Sequence, residues 1–162
     1  MIPETKLLYN YDYAKRLHDG DGDFEEEWRR IIGLGADFEK VYEEYHERIL
    51  AQIERYTGYA WEEFSDALIP IYLAGSGKSF SHPLTLVVDE DITAMIADCI
   101  HQLAHRNMYF GFPNDNLRDR CLRLVTSHVM READLAGEDT QDSGWDLEKK
   151  TIREYLVKTN LT

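Results

Sequence analysis

The chain has 162 residues, 43% of them hydrophobic and 12% aromatic, enough to bury one core and too few for two comfortable domains. Its 31 acidic against 18 basic residues give a net charge of -13, a surface that repels nucleic acid and anionic membranes, so neither is expected as a partner. No apolar run reaches membrane-spanning length, and the start, Met1-Ile2-Pro3-Glu4-Thr5, lacks the basic and apolar regions of a secretory signal. A cytoplasmic protein is expected, with Cys99 and Cys121 as reduced, small core residues.

In chain order, residues 1–22 read as an irregular or partly helical lead-in carrying Tyr9, Tyr11 and Tyr13, which pack over the core or cover a cleft. Its end, Asp19-Gly20-Asp21-Gly22-Asp23, has the alternating aspartates of a calcium loop, but the sixth and twelfth places hold Phe24 and Arg30 where that loop needs Gly and Glu. Asp23 is better placed as the N-cap of a helix whose first turn holds Glu25, Glu26 and Glu27, where acidic charge suits the helix dipole. Residues 23–66 are expected to form the N-terminal helices. The first is stopped by Gly33-Leu34-Gly35, and the second runs from about Asp37 to Thr57, with Phe38, Val41, Tyr42, Tyr45, Ile49, Ile53 and Tyr56 at helical spacing.

Residues 67–135 hold a hairpin and two further helices. Leu68–Leu73 reads as a strand that Pro70 puts at an edge, and Leu84–Val88 as its partner. Between them Gly75-Ser76-Gly77-Lys78-Ser79 lacks the leading glycine of a phosphate loop, because position 72 is Tyr, and no helix follows it; it is a connection. A helix capped by Asp89-Glu90-Asp91 then runs to about Tyr109, closed by Gly111-Phe112-Pro113. Asn114-Asp115 caps the next, to about Leu135, with Leu117, Cys121, Leu124 and Val125 on its apolar face, His128 centred there and Glu132 one turn on. A polar loop over 137–144 leads to a C-terminal helix over residues 145–158, docked by Trp145, Ile152, Tyr155 and Leu156. The whole chain, 1–162, reads as one α+β domain, mostly helical, with a small sheet or hairpin ahead of the helix that carries the chemistry.

That chemistry centres on His101-Gln102-Leu103-Ala104-His105. A spacing of four puts both imidazoles on one face, one turn apart, the grip by which a helix holds zinc. Six histidines supply such a pair by chance in about one chain of this length in five. Against chance stand the long capped helix and an inward-facing His128 on the next one. His101, His105 and His128 make the three protein ligands of a catalytic zinc site, and Glu132 is the alternative third. His82, before Pro83, is a candidate for the cleft rim, while His18 and His46 read as ordinary structural residues.

This segment, with the strand ending Val87-Val88 before it, resembles the active-site region of the zincin metallopeptidases, above all the small single-domain gluzincin-like peptidases of archaea. The resemblance covers about residues 68–135. It implies zinc as cofactor, a peptide or protein substrate, and peptide-bond hydrolysis by metal-activated water. It also implies that Leu84, Thr85 and Leu86 pair with an extended substrate along an upper-rim strand. Gln102 stands where the family has its general-base glutamate. A glutamine amide takes up no proton, so this chain should be nearly inactive. Either it is a natural non-hydrolytic relative or it is a Glu-to-Gln form, and the regularity of the motif helix favours the second. Two other readings remain: a non-enzymatic metal- or peptide-binding module on the same fold, and a metal-free helical interaction protein.

Overall fold

The computed structural model describes residues 1–61, 67–108, 112, 114–135 and 145–159. In chain order they form β1 (Glu4–Leu8), α1 (Tyr11–Arg16), α2 (Phe24–Thr57), β2 (Leu68–Ala74), β3 (Phe80–Ser81), β4 (Leu84–Val87), α3 (Ile92–Asn107), α4 (Asp115–Glu132) and α5 (Ile152–Thr159). The α+β architecture is as the sequence suggests. The sheet has the order β1-β2-β4-β3, with β1, β2 and β4 parallel and β3 antiparallel to β4. Ile69, Ile71 and Leu73 of β2 alternate into the core and meet Leu84 and Leu86 there. Phe38, Ile49 and Ile53 of α2 and Ile96, Ile100 and Leu103 of α3 close over them. Cys99 and Cys121 are free thiols buried in this core. Among the described residues no helix is long and apolar enough to cross a membrane.

Local chemistry starts the helices where the sequence places their caps. Asp23, Asp91 and Asn114 each adopt extended backbone and accept a hydrogen bond from an amide of the first turn, and Asn10, a cap beyond those expected from the sequence, does the same for α1. The stop expected at Gly33-Leu34-Gly35 is not there: α2 runs unbroken for 34 residues. The reason is packing. A Cβ at Gly35 would lie 2.5 Å from Leu73 Cδ1 and 2.9 Å from Tyr9 Cε1, so this glycine lets the sheet approach the helix and ends nothing. The terminator is Gly58, left-handed at φ 76°, whose N–H closes on the Glu54 carbonyl.

The lead-in is more ordered than expected. Its residues 4–8 form a parallel edge strand, and its tyrosines pin α1 down. Tyr13 bonds Thr85 Oγ1 at 2.7 Å and packs on Tyr72, Tyr9 bonds Glu39 at 3.2 Å, and Tyr11 bonds Glu25 while meeting Phe24 and Trp28 edge-on. The expected hairpin between β2 and β4 is also corrected. These strands are parallel, and the hairpin is β3–β4, turning at His82-Pro83. Pro70 lies in an interior strand after all. Its missing N–H is tolerated because pairing with β4 begins only at Tyr72.

At the C-terminal end, Thr151 and Glu154 form a reciprocal cap that starts α5 at Ile152 rather than at Trp145, while Ile152 and Leu156 are buried as expected. The polar loop expected over 137–144 and the glycine and proline closing the motif helix (Gly111, Pro113) lie outside the described residues.

Candidate functional site

At 100° per residue, Ala94, Asp98, His101 and His105 of α3 fall within about 60° of one another, one stripe along the helix opposite its buried side. Met95, Ile96, Cys99, Ile100, Leu103 and Ala104 hold that other side in the core, and His101 and His105 stay half-buried. The stripe begins in a cavity of about 260 Å³ lined by Gly77, Ser79, Val87 and Val88 on the sheet side and by Ala94, Met95 and Asp98 of α3. Gln102 lies beside it, its amide donating to Asp98 Oδ1 at 3.3 Å.

Burial, reinforced by the α4 cations Arg123 and Arg118 against the opposing Asp98 and Asp119, lowers the His101 pKa below its usual range. Burial likewise lowers that of His105, with Arg118, His82 and His101 adding to it and Asp119 opposing. Both rings are thereby held toward the neutral form, the form that ligates a metal.

The third side of the site comes from the β3–β4 turn. Ser81 Oγ lies 2.6 Å from Nδ1 of His105 and 2.9 Å from Nδ1 of His82. The two rings stand 6.3 Å apart, centre to centre. Arg106, on the next position of α3, donates from Nη1 to the Ser81 carbonyl at 3.4 Å. His82, exposed, is thus at the rim, and its pKa is lowered by partial burial and then by Arg106.

His128 is not a partner of the pair. The α4 residues whose charges reach His101 and His105 are Arg118, Asp119 and Arg123, and nine residues separate Asp119 from His128, half a turn out of phase. His128 instead hydrogen-bonds the Leu124 carbonyl at 2.9 Å and packs edge-on against Tyr56 of α2. Glu132 is on that side too, accepting from the Tyr56 hydroxyl at 3.1 Å. Among the described residues no three His, Cys, Asp or Glu side chains stand together as a metal-holding group.

Leu84, Thr85 and Leu86 are corrected as well. All three are 0% exposed, and their strand is hydrogen-bonded to β2 on one side and β3 on the other. No backbone edge remains there for a substrate; the outer edge belongs to β3. Ser81 escaped sequence reasoning because no periodicity links position 81 to 105. The one signal was a polar Ser-His-Pro turn between two apolar strands.

Comparison with protein-family models, with curated proteins and with solved structures finds no match to this chain.

Proposed function

We propose that this chain is a zinc-binding domain of the zincin type, a scaffold for peptide-bond hydrolysis that Gln102 leaves close to inactive. The observation that carries the reading is the shared stripe of His101 and His105: two half-buried imidazoles one turn apart, on the helix that directly follows β4 of a mixed sheet. The donors fit a zinc ion in part. Two nitrogens are in place, and the Ser81 hydroxyl bonded to His105 is the kind of outer partner that orients a ligating ring. His101 and His105 would hold the ion. A third ligand from α4 is not at hand, so the remaining positions fall to water or substrate. When bound, the ion supplies a Lewis acid and an acidified water. Gln102, bonded to Asp98, keeps its shape beside that place and takes up no proton. An extended peptide would meet the outer edge of β3.

Zinc titrated calorimetrically into the metal-free chain tests the reading. One-to-one binding is expected in the wild type and in His128→Ala, and its loss in His101→Ala and in His105→Ala. Full retention in both of the last two overturns the proposal. Gln102→Glu then separates enzyme from binding module: proteolysis of a denatured protein should appear, and zinc binding with no gain of proteolysis would mean a non-enzymatic scaffold.

A further inference from the structure

One hydroxyl of this site does more than orient the His105 ring. Ser81 Oγ sits between two imidazole nitrogens, Nδ1 of His105 at 2.6 Å and Nδ1 of His82 at 2.9 Å. A serine carries one proton, so it donates to one ring and accepts from the other. A hydroxyl donating to a neutral imidazole has the base that an activated nucleophile needs for its proton, while the N–H of the second imidazole holds the hydroxyl in that orientation. The shorter contact assigns the base to His105. The surroundings support this. The His105 ring is fixed on α3, and the neighbouring guanidinium is incompletely used. Arg106 Nη1 reaches the Ser81 carbonyl, while Arg106 Nε is buried with no acceptor among the described residues. A positive group with a donor to spare beside a serine suits the oxyanion of an acyl-transfer intermediate.

We infer that Ser81 is a nucleophile activated by His105 as general base, with His82 as donor to its oxygen, and that it attacks small carboxylic esters. Ser81 Oγ forms a bond to the carbonyl carbon as its proton passes to His105 Nδ1. The bond to the leaving alkoxide breaks, and that alkoxide takes the proton from His105. Water, deprotonated by the same ring, then cleaves the acyl-serine, releasing the carboxylic acid and restoring the hydroxyl. The position sets the substrate size. Ser81 is 6% exposed, next to the exposed His82 on the edge strand, so a small acyl group reaches it and a bulky chain does not. This site shares His105 with the zinc reading and operates in the metal-free chain.

The experiment uses the full chain in chelator with an alkyl fluorophosphonate, which transfers its phosphonyl group to an activated serine with loss of fluoride. Peptide mass mapping should find the adduct on Ser81, with Ser79 as internal control, and none at this position in Ser81→Ala. Removing a general base costs about 100-fold or more, so His105→Gln should slow labelling by at least that factor. His82→Gln, at an exposed position that leaves the fold intact, should slow it severalfold. A burst of one p-nitrophenol per chain from p-nitrophenyl acetate is the matching kinetic signature. No adduct on Ser81, or an unchanged labelling rate in both histidine variants, overturns the inference. Because no zinc is present, that failure leaves the zinc titration unaffected.

Discussion

Gly33 and Gly35 lie two residues apart in α2, and their replacement by alanine should stabilise at the first and bring no gain or a loss at the second. In a helix interior, alanine is favoured over glycine by about 1 kcal/mol. At Gly33, exposed and with nothing within 4 Å of an added Cβ, that gain is realised in full. At Gly35 the same Cβ would meet Leu73 Cδ1 at 2.5 Å and Tyr9 Cε1 at 2.9 Å. Leu73 is 2% exposed in an interior strand and has nowhere to go, whereas Tyr9 can yield only by giving up its bond to Glu39. Overpacking of this kind costs about 1–3 kcal/mol, which offsets or exceeds the propensity gain. Gly33→Ala should therefore be more stable than the wild type by up to about 1 kcal/mol, and Gly35→Ala less stable than Gly33→Ala by about 1–3 kcal/mol. Urea unfolding followed by circular dichroism, with the m-value unchanged, measures both. Equal shifts of the same sign would refute the reasoning, because that is how two glycines of an interhelical loop would behave.

Asn107→Ala should cost about 1–3 kcal/mol, since it removes the acceptor that the buried Thr57 hydroxyl holds at 2.6 Å, Asn107 Oδ1, and the donor that the half-buried Tyr59 carbonyl holds at 3.1 Å, Asn107 Nδ2. Calorimetric or urea unfolding of the variant checks it. The lowered pKa values of His101 and His105 mean that on acidification the unfolded chain takes up its protons first. The stability they contribute is therefore complete above the ordinary histidine pKa, about 6.5, and is lost as the pH falls from there toward their folded values. Unfolding free energies at pH 7.5 and 5.5 should differ less in His101→Gln than in the wild type. A slope unchanged by the substitution counts against burial as the cause. Saturating zinc should suppress fluorophosphonate labelling of Ser81 in the wild type and leave it unchanged in His101→Ala. Labelling indifferent to bound zinc would show that His105 does not serve both sites.

Where pattern and local chemistry coincide, the sequence was legible. The caps Asp23, Asp91 and Asn114 follow from residue type and place, and the apolar side of α3 and the stripe bearing His101 and His105 from spacing, as does the α+β class. What misled was local chemistry overruled by distant packing. Gly33-Leu34-Gly35 has the composition of a break, yet Gly35 answers to Leu73, nearly forty residues away. Thr5-Lys6-Leu7-Leu8 is too short to announce a strand and becomes one only because β2 offers a parallel edge. His128 was misassigned for a subtler reason. The buried side of α4 spans Cys121, Leu122, Leu124, Val125, Val129 and Met130, broad enough to face both α2 and α3, and His128 belongs to the half that meets Tyr56. An inward-facing residue is thus necessary for a ligand and far from sufficient; which neighbour it faces is decided by crossing helices, which no single-helix periodicity encodes.

The zinc reading and the Ser81 reading meet in one imidazole, and the proton on His105 separates them. Were His105 to hold a zinc ion through the nitrogen away from Ser81, its proton would lie on Nδ1, and the ring would donate to Ser81 while the serine proton turned to His82. Without zinc the proton can rest on Nε2, Nδ1 accepts from the serine, and Ser81 becomes reactive. The same 2.6 Å contact is then an outer support for the metal in one state and a nucleophile–base pair in the other. Gln102 weighs on only one of these states. It stands where a metal-activated water would need a base, and its amide is bonded to Asp98 while Ser81 is bonded to His82 and His105. If the zinc proposal holds, Gln102→Glu should bring proteolysis without changing the rate at which the metal-free form labels Ser81.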